Sequence, residues 1–244
     1  AELLRAVPDP AAFYGTGERN AAGQTLEEFL AAYDPYKYKT PSCTTDAVVF
    51  SYRESRRDFS GLKLLLVRRS NHPSIGFWAL PGGFVDLREN LEDAARRELE
   101  EETGVSGLPV EQFACYGDYD RDPRTRVITT AYMALVDEES VSVRAGDDAA
   151  DAAWFCLSVH KSGRSDSTGD WETEEFVLEL DNEEKQLHTR AVVERRVRKG
   201  LVREQKFTVK DRGMTAVDHA AIIVQAYLIL EERMKRSRTD GDRL

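Results

Sequence analysis

The sequence predicts an α/β (α+β) fold, with a mixed sheet held between helices and a β insertion ahead of a C-terminal helix. Three observations point there. Apolar, strand-like runs alternate with segments of helical period through residues 43–158. The small-residue turn Pro81, Gly82, Gly83 joins an apolar run to an amphipathic segment, as a strand–loop–helix unit requires. Residues 215–237 then carry a long apolar helical pattern.

In chain order, residues 1–42 read as an irregular N-terminal extension with one short helix. There Thr25 and Glu28 stand in a capping-box pattern, and Leu26, Phe29 and Leu30 make an apolar edge. Residues 43–158 are the compact middle. Residues 44–53 and 61–69 are apolar strands joined by a charged turn at 53–61. Residues 77–83, 113–120, 126–136 and 152–157 supply further strand-like runs around one helix. Residues 159–214 read as a charged β insertion in the same domain, with too few core residues to fold alone. Within it, residues 161–170 are loop-like, rich in Ser, Gly and Asp. Residues 174–181, 185–193 and 206–211 are its strands. The last helix is capped by Thr215, and Ala220, Ala221, Val224, Tyr227 and Leu228 form its buried stripe. Residues 239–244 read as a frayed tail.

Composition bounds the class of protein. A chain of 244 residues can bury a core. No apolar run approaches the roughly 20 residues of a membrane span, and the N-terminus lacks the cationic and apolar regions of a signal peptide. Cys43, Cys115 and Cys156 follow neither metal-ligand spacing nor a disulfide framework, and read as reduced, partly buried thiols of a cytoplasmic protein. The four histidines are dispersed and read as structural. With 34 basic and 44 acidic residues the formal charge is −10, which argues against nonspecific nucleic-acid binding. The basic stretch 190–206 reads as a solvated charged hairpin, with a phosphate-facing patch or a partner surface as the alternatives.

The chemistry concentrates in residues 83–105. Glu98 and Glu102 are i, i+4 neighbours on a helix, with Glu101 beside them. By itself such a run is a solvated helix face. Three carboxylates on one patch repel each other, however, and a hard divalent cation with oxygen ligands relieves that repulsion. Magnesium is the usual choice beside phosphate. Asn90 suits the helix N-cap and Asp93 its first turn. Leu91, Ala94, Ala95 and Leu99 form the buried stripe, which leaves the glutamates facing a cleft. Gly104 follows the helix, where a left-handed residue is wanted. The glycine turn before the helix allows close backbone approach and a phosphate site.

The whole segment fits G-x5-E-x7-R-E-U-x-E-E-x-G-U, where U is apolar. Gly83, Glu89, Arg97, Glu98, Leu99, Glu101, Glu102, Gly104 and Val105 fill every specified position. It resembles the Nudix box, and the chain is similar to the Nudix hydrolase family. The resemblance implies an α/β/α sandwich and hydrolysis of a nucleoside diphosphate linked to another group. It implies that Glu98, Glu101 and Glu102, helped by a carbonyl near Gly83, hold Mg2+ or Mn2+. It also implies that Arg97 and Glu89 brace the loop, and that a glutamate activates water.

Substrate choice must come from outside the box. Residues 117–127 carry the pattern GDxDRDPRxRV, which resembles ADP-ribose-hydrolysing Nudix enzymes and related Nudix-type NAD regulators. Asp120, Arg121, Asp122 and Arg124 lie in a turn set by Pro123, and arginine suits bidentate phosphate contact. A self-paired surface turn is the competing reading. Arg68 is a further phosphate candidate; Phe84 is a candidate base or ribose contact, with packing in the core as an equal reading. The expectation is an Mg2+-dependent ADP-ribose pyrophosphatase acting on a nucleotide-sugar type small molecule, away from membranes. A homodimer is expected from the resemblance. A nucleotide-sensing regulator and a nucleoside triphosphate pyrophosphatase are the alternatives. The winged helix that follows the Nudix domain in the regulators is not expected in this chain.

Overall fold

The computed structural model describes residues 13–14, 16–34, 36–37, 39–52, 61–137, 140–145, 149–198, 200–202 and 204–240. The chain divides into two compact units, residues 1–40 and 41–244. In the first, helix α1 (Leu26–Ala32) has the capping box that its sequence predicts. Thr25 Oγ1 accepts from Glu28 N at 3.2 Å, and the Glu28 carboxylate accepts from Thr25 N at 2.8 Å. None of its residues is buried, so the apolar edge of Leu26, Phe29 and Leu30 forms no core.

Among the described residues, the second unit is built on one ten-stranded mixed sheet. Its strands are β1 (Ser42–Tyr52), β2 (Lys63–Arg69), β3 (Trp78–Ala79), β4 (Gly82–Phe84), β5 (Glu111–Tyr116), β6 (Val127–Asp137), β7 (Ala149–Thr168), β8 (Trp171–Asn182), β9 (Leu187–Arg198) and β10 (Glu204–Asp211). The order is β10-β9-β8-β7-β2-β1-β6-β5, with β3 paired to β2 and β4 paired to β1. Strands β1 and β6 run parallel over their full length, from Ser42↔Val127 to Tyr52↔Asp137. The charged turn expected at 53–61 lies almost wholly outside the described residues.

Strand alternation divides the core between two faces. Val48 and Phe50 of β1 join Leu64 and Leu66 of β2 under helix α3 (His219–Asp240). Ala47, Val49 and Leu65 face the opposite way, onto Leu99 of helix α2 (Leu91–Thr103). Alternating apolar strands buried on both faces account for the continuous apolar run of residues 47–50. Helix α3 also packs on β8 and β9, where Phe176, Leu178, Leu180, Ala191 and Val193 complete the same core.

Several local expectations are corrected. Residues 161–168 are strand, not loop. Past a bulge between Lys161 and Ser165, β7 pairs with β8 from Ser165↔Glu174 to Thr168↔Trp171. Ladder hydrogen bonds override weak β propensity, and Gly169, at φ 61°, opens the two-residue turn. Thr215 does not cap the last helix. Its hydroxyl donates to Arg212 O at 2.7 Å and its backbone lies beside Trp78, so the helix begins four residues later. Residues 239 and 240 continue that helix instead of fraying. Asn90 holds the N-cap position without a side-chain cap bond; its amide donates to Asp93 instead, at 3.0 Å. Leu91 is 36% exposed, because the stripe that faces the sheet begins at Ala94. The three cysteines are exposed, not partly buried. Burial of Phe155 turns Cys156 outward by strand alternation, and Cys115 lies on edge strand β5.

Candidate active site

The site forms where β3 turns through Pro81 into β4. Ala47 N donates to Pro81 O at 2.8 Å, which fastens the turn to β1. Strand β4 then pairs with β1 through Thr45↔Gly83 and Asp46↔Gly82. Both glycines are demanded by crowding. A Cβ at Gly82 would lie 2.0 Å from Thr45 O, and one at Gly83 would lie 2.5 Å from both oxygens of Glu98. Helix α2 can press its carboxylates onto this backbone only because no side chain intervenes. Gly104, left-handed at φ 71°, ends that helix as expected.

Arg97 is the hub of the box. It donates to both oxygens of Glu89, at 2.8 and 2.9 Å, and to Phe84 O at 3.1 Å. The loop and the helix are thereby joined. The same guanidinium donates to Glu98 at 2.8 Å and Glu101 at 3.0 Å. The Arg97 bonds pull the Glu89 carboxyl down to about 2. Burial pushes Glu98 up, opposed by Arg97. Glu102 accepts from Gly82 N at 2.9 Å. Burial nonetheless pushes its carboxyl up to about 7, and the charges of Glu98 and Asp46 act in the same direction.

Beside these groups lies a cavity of about 440 Å³, within the size range of small-molecule sites. Gly83, Glu98, Glu102, Arg68, Phe84, Arg121 and Arg124, all singled out from sequence, line it. Glu89, Arg97, Glu101 and Asp120 do not. Glu101 is 58% exposed and accepts from Arg97 at 3.0 Å. Among the described residues, no three Asp, Glu, His or Cys side chains stand grouped to hold a metal ion. The donor chemistry still fits a hard divalent cation: oxygen atoms alone, with the Gly83 backbone pressed against Glu98.

The turn at 120–124 divides its arginines between two tasks. Arg121 makes a bidentate pair with Asp218 at 2.9 Å for both bonds and is only 8% exposed. It ties the turn to the start of α3. Arg124 bonds both oxygens of Asp122, at 3.1 and 2.8 Å, and stacks on the Phe84 ring at 5.2 Å. The turn is therefore self-paired and also part of the cavity wall.

Sequence reading missed Asp46, His72, Val217, Asp218 and His219. Asp46 is buried, accepts from Thr129 Oγ1 at 2.6 Å and lines the cavity. A charged residue in an otherwise apolar strand was its signal. His219 accepts from Leu80 N at 2.8 Å, lies 3.8 Å from Asp46 and lines the cavity. His72 sits on the cavity rim in the loop between β2 and β3. That loop lies just ahead of β3 and the Pro81 turn in the chain, but no motif in it marks a site.

The chain is similar to several known proteins. The ADPR responsive transcriptional repressor NtrR of Acinetobacter baylyi is 42% identical over 112 residues, covering 45% of this chain and 43% of the repressor. The ADP-ribose pyrophosphatase of Methanocaldococcus jannaschii is 42% identical over 96 residues, covering 39% of this chain and 56% of the enzyme. The chain thus spans about half the length of these relatives. The crystal structure of a MutT/nudix family protein from Enterococcus faecalis aligns with a TM-score of 0.60 and 31% identity, covering 86% of this chain and 70% of that one. Residues 44–177 match the NUDIX domain, and the chain belongs to the Nudix family.

Proposed function

We propose that this protein hydrolyses the diphosphate of ADP-ribose, releasing AMP and ribose 5-phosphate, with Mg2+ as cofactor and Mn2+ as a substitute. One observation carries the reading: the Glu98 and Glu102 carboxylates share a single cavity with Arg68, Arg124 and Phe84. Carboxylates suited to a cation thus stand beside guanidinium groups suited to phosphate and a ring suited to a ribose or base. The pyrophosphatase relative supports the choice of substrate.

In this proposal Glu98, Glu101, Glu102 and the Gly83 carbonyl would hold the cation. Once bound, it would offset phosphate charge and lower the pKa of water. Arg97 and Glu89 keep the loop against the helix. Arg124 and Arg68 orient the diphosphate. A glutamate of the box or of a later loop takes the proton from the attacking water. Residues 43–158 and 215–237 are proposed as the hydrolase domain, with 159–214 as its insertion and 1–42 as an extension. A cytoplasmic homodimer is the proposed setting.

The repressor relative favours a second reading, in which the cavity senses ADP-ribose without cleaving it. Product analysis separates the two. ADP-ribose, NADH, diadenosine polyphosphates and nucleoside triphosphates are each incubated with protein and Mg2+. AMP released preferentially from ADP-ribose supports the enzyme. No cleavage, with a melting temperature raised by ADP-ribose, supports the sensor. Preferential cleavage of triphosphates would replace both readings.

A further inference from the structure

The segment between β10 and α3 holds a strained residue at the cavity. Trp78 N donates to Met214 O at 2.9 Å, and Ala216 N donates to Trp78 O at 2.8 Å. Residues 214–216 therefore run beside β3 like a short extra strand. Just beyond, Asp218 is held by Arg121 and His219 by Leu80 N. Val217 lies between these anchors at φ 44°. A β-branched residue in the left-handed region crowds its own backbone and persists only when its surroundings over-determine it. Glycine or asparagine adopts this conformation far more readily.

The anchors explain how the conformation is held, but not why valine occupies it. The side chain does. It packs on Val67, Ala79 and Ala216, and these four residues line the same cavity as Glu98, Glu102 and Arg124. An apolar patch offers nothing to a phosphate; it suits the face of a sugar or a base. At about 440 Å³ the cavity is toward the lower end of the range for ligand sites, so one side chain matters to what fits.

We propose that Val217 is a specificity-determining residue, whose isopropyl group walls the cavity and so limits the size of the group that the diphosphate can carry beyond its adenosine. It favours a terminal ribose over a second nucleoside. The proposal rests on the reading of the site as one for ADP-ribose.

The test compares wild type with Val217→Ala and Val217→Gly, using ADP-ribose and NADH with Mg2+. NADH joins the same adenosine diphosphate half to a larger nucleoside. Alanine removes two methyl groups and keeps the left-handed strain; glycine removes both. Both variants are expected to narrow the preference for ADP-ribose by about tenfold, through the KM for NADH more than through kcat. The glycine variant is expected to melt above the alanine variant. An unchanged preference in both, with only the melting temperature moving, overturns the proposal and leaves Val217 a packing residue. If wild type cleaves neither compound, the hydrolysis reading falls, and the ratio of their Kd values by calorimetry decides. A ratio that shifts in the variants upholds the role of Val217, and a constant ratio overturns it. Binding of neither compound overturns both readings.

Discussion

Glu102 is ionised only at a cost, because burial disfavours its charge while one backbone N–H from Gly82 partly offsets it. Glutamine at this position keeps a carbonyl oxygen for Gly82 and removes the charge. Glu102→Gln is therefore expected to melt at or above the wild-type temperature while turnover falls by about two orders of magnitude or more. Thermal melts and product release, measured side by side, check it; wild-type turnover would remove Glu102 from the proposed chemistry. Glu89 is the opposite case. Arg97 holds it well below the ordinary glutamate value of 4.5, at about 2. A depressed carboxyl stabilises the fold above its unfolded pKa and loses that contribution as pH falls through the folded one. The stability gap between wild type and Glu89→Gln is expected to be full above about pH 4.5 and to shrink toward pH 2. Denaturant titrations at several pH values give the gap, and a pH-independent difference would mean that the pair's ionisation is not what stabilises the loop.

At the scale of elements, strands β8 and β9 are structural parts of the main sheet. Helix α3 lies on them, and Leu178 and Leu180 are fully buried beneath it. Deleting the insertion would strip one face of the core. A point substitution is the usable probe: Leu178→Ala is expected to cost about 2–5 kcal/mol, read from denaturant midpoints. A cost under about 1 kcal/mol would show the strand to be dispensable to the core. The strand identities of 174–181 and 185–193 were legible from alternation. Residues 161–168 were not, because Ser, Gly and Asp signal a loop locally while the partner strand supplies the ladder. Helix α2 was legible in type and end, since Gly104 must terminate it. Its start was legible only in position, because Asn90 turns its amide to Asp93.

At the scale of the molecule, the cavity is assembled from β1, the β2–β3 loop, β4, α2, the 120–124 turn and the entry to α3. A ligand that bridges these parts stabilises them together. ADP-ribose at 100 times its Kd is expected to add about 2.7 kcal/mol, or roughly 5–10 °C in melting temperature. A shift with ADP-ribose but none with AMP or ribose 5-phosphate would mean that the diphosphate is what the site grips. Equal shifts with AMP alone would place recognition in the adenosine half and weaken the role given to Arg68 and Arg124.

The sequence alone determined the family, the fold class and the spacing of Glu98, Glu101 and Glu102. Those follow from local rules: helical period, glycine at crowded turns, and a long pattern in one segment. The tertiary structure decided which groups share the cavity. It drew Glu101 onto Arg97, committed Arg121 to Asp218 and brought Asp46, His72 and Val217 to the carboxylates. The physical reason is that a charged group's partner is set by distance through space. Residues such as Arg121 and Asp218, 97 positions apart, meet only once the sheet and helices have packed.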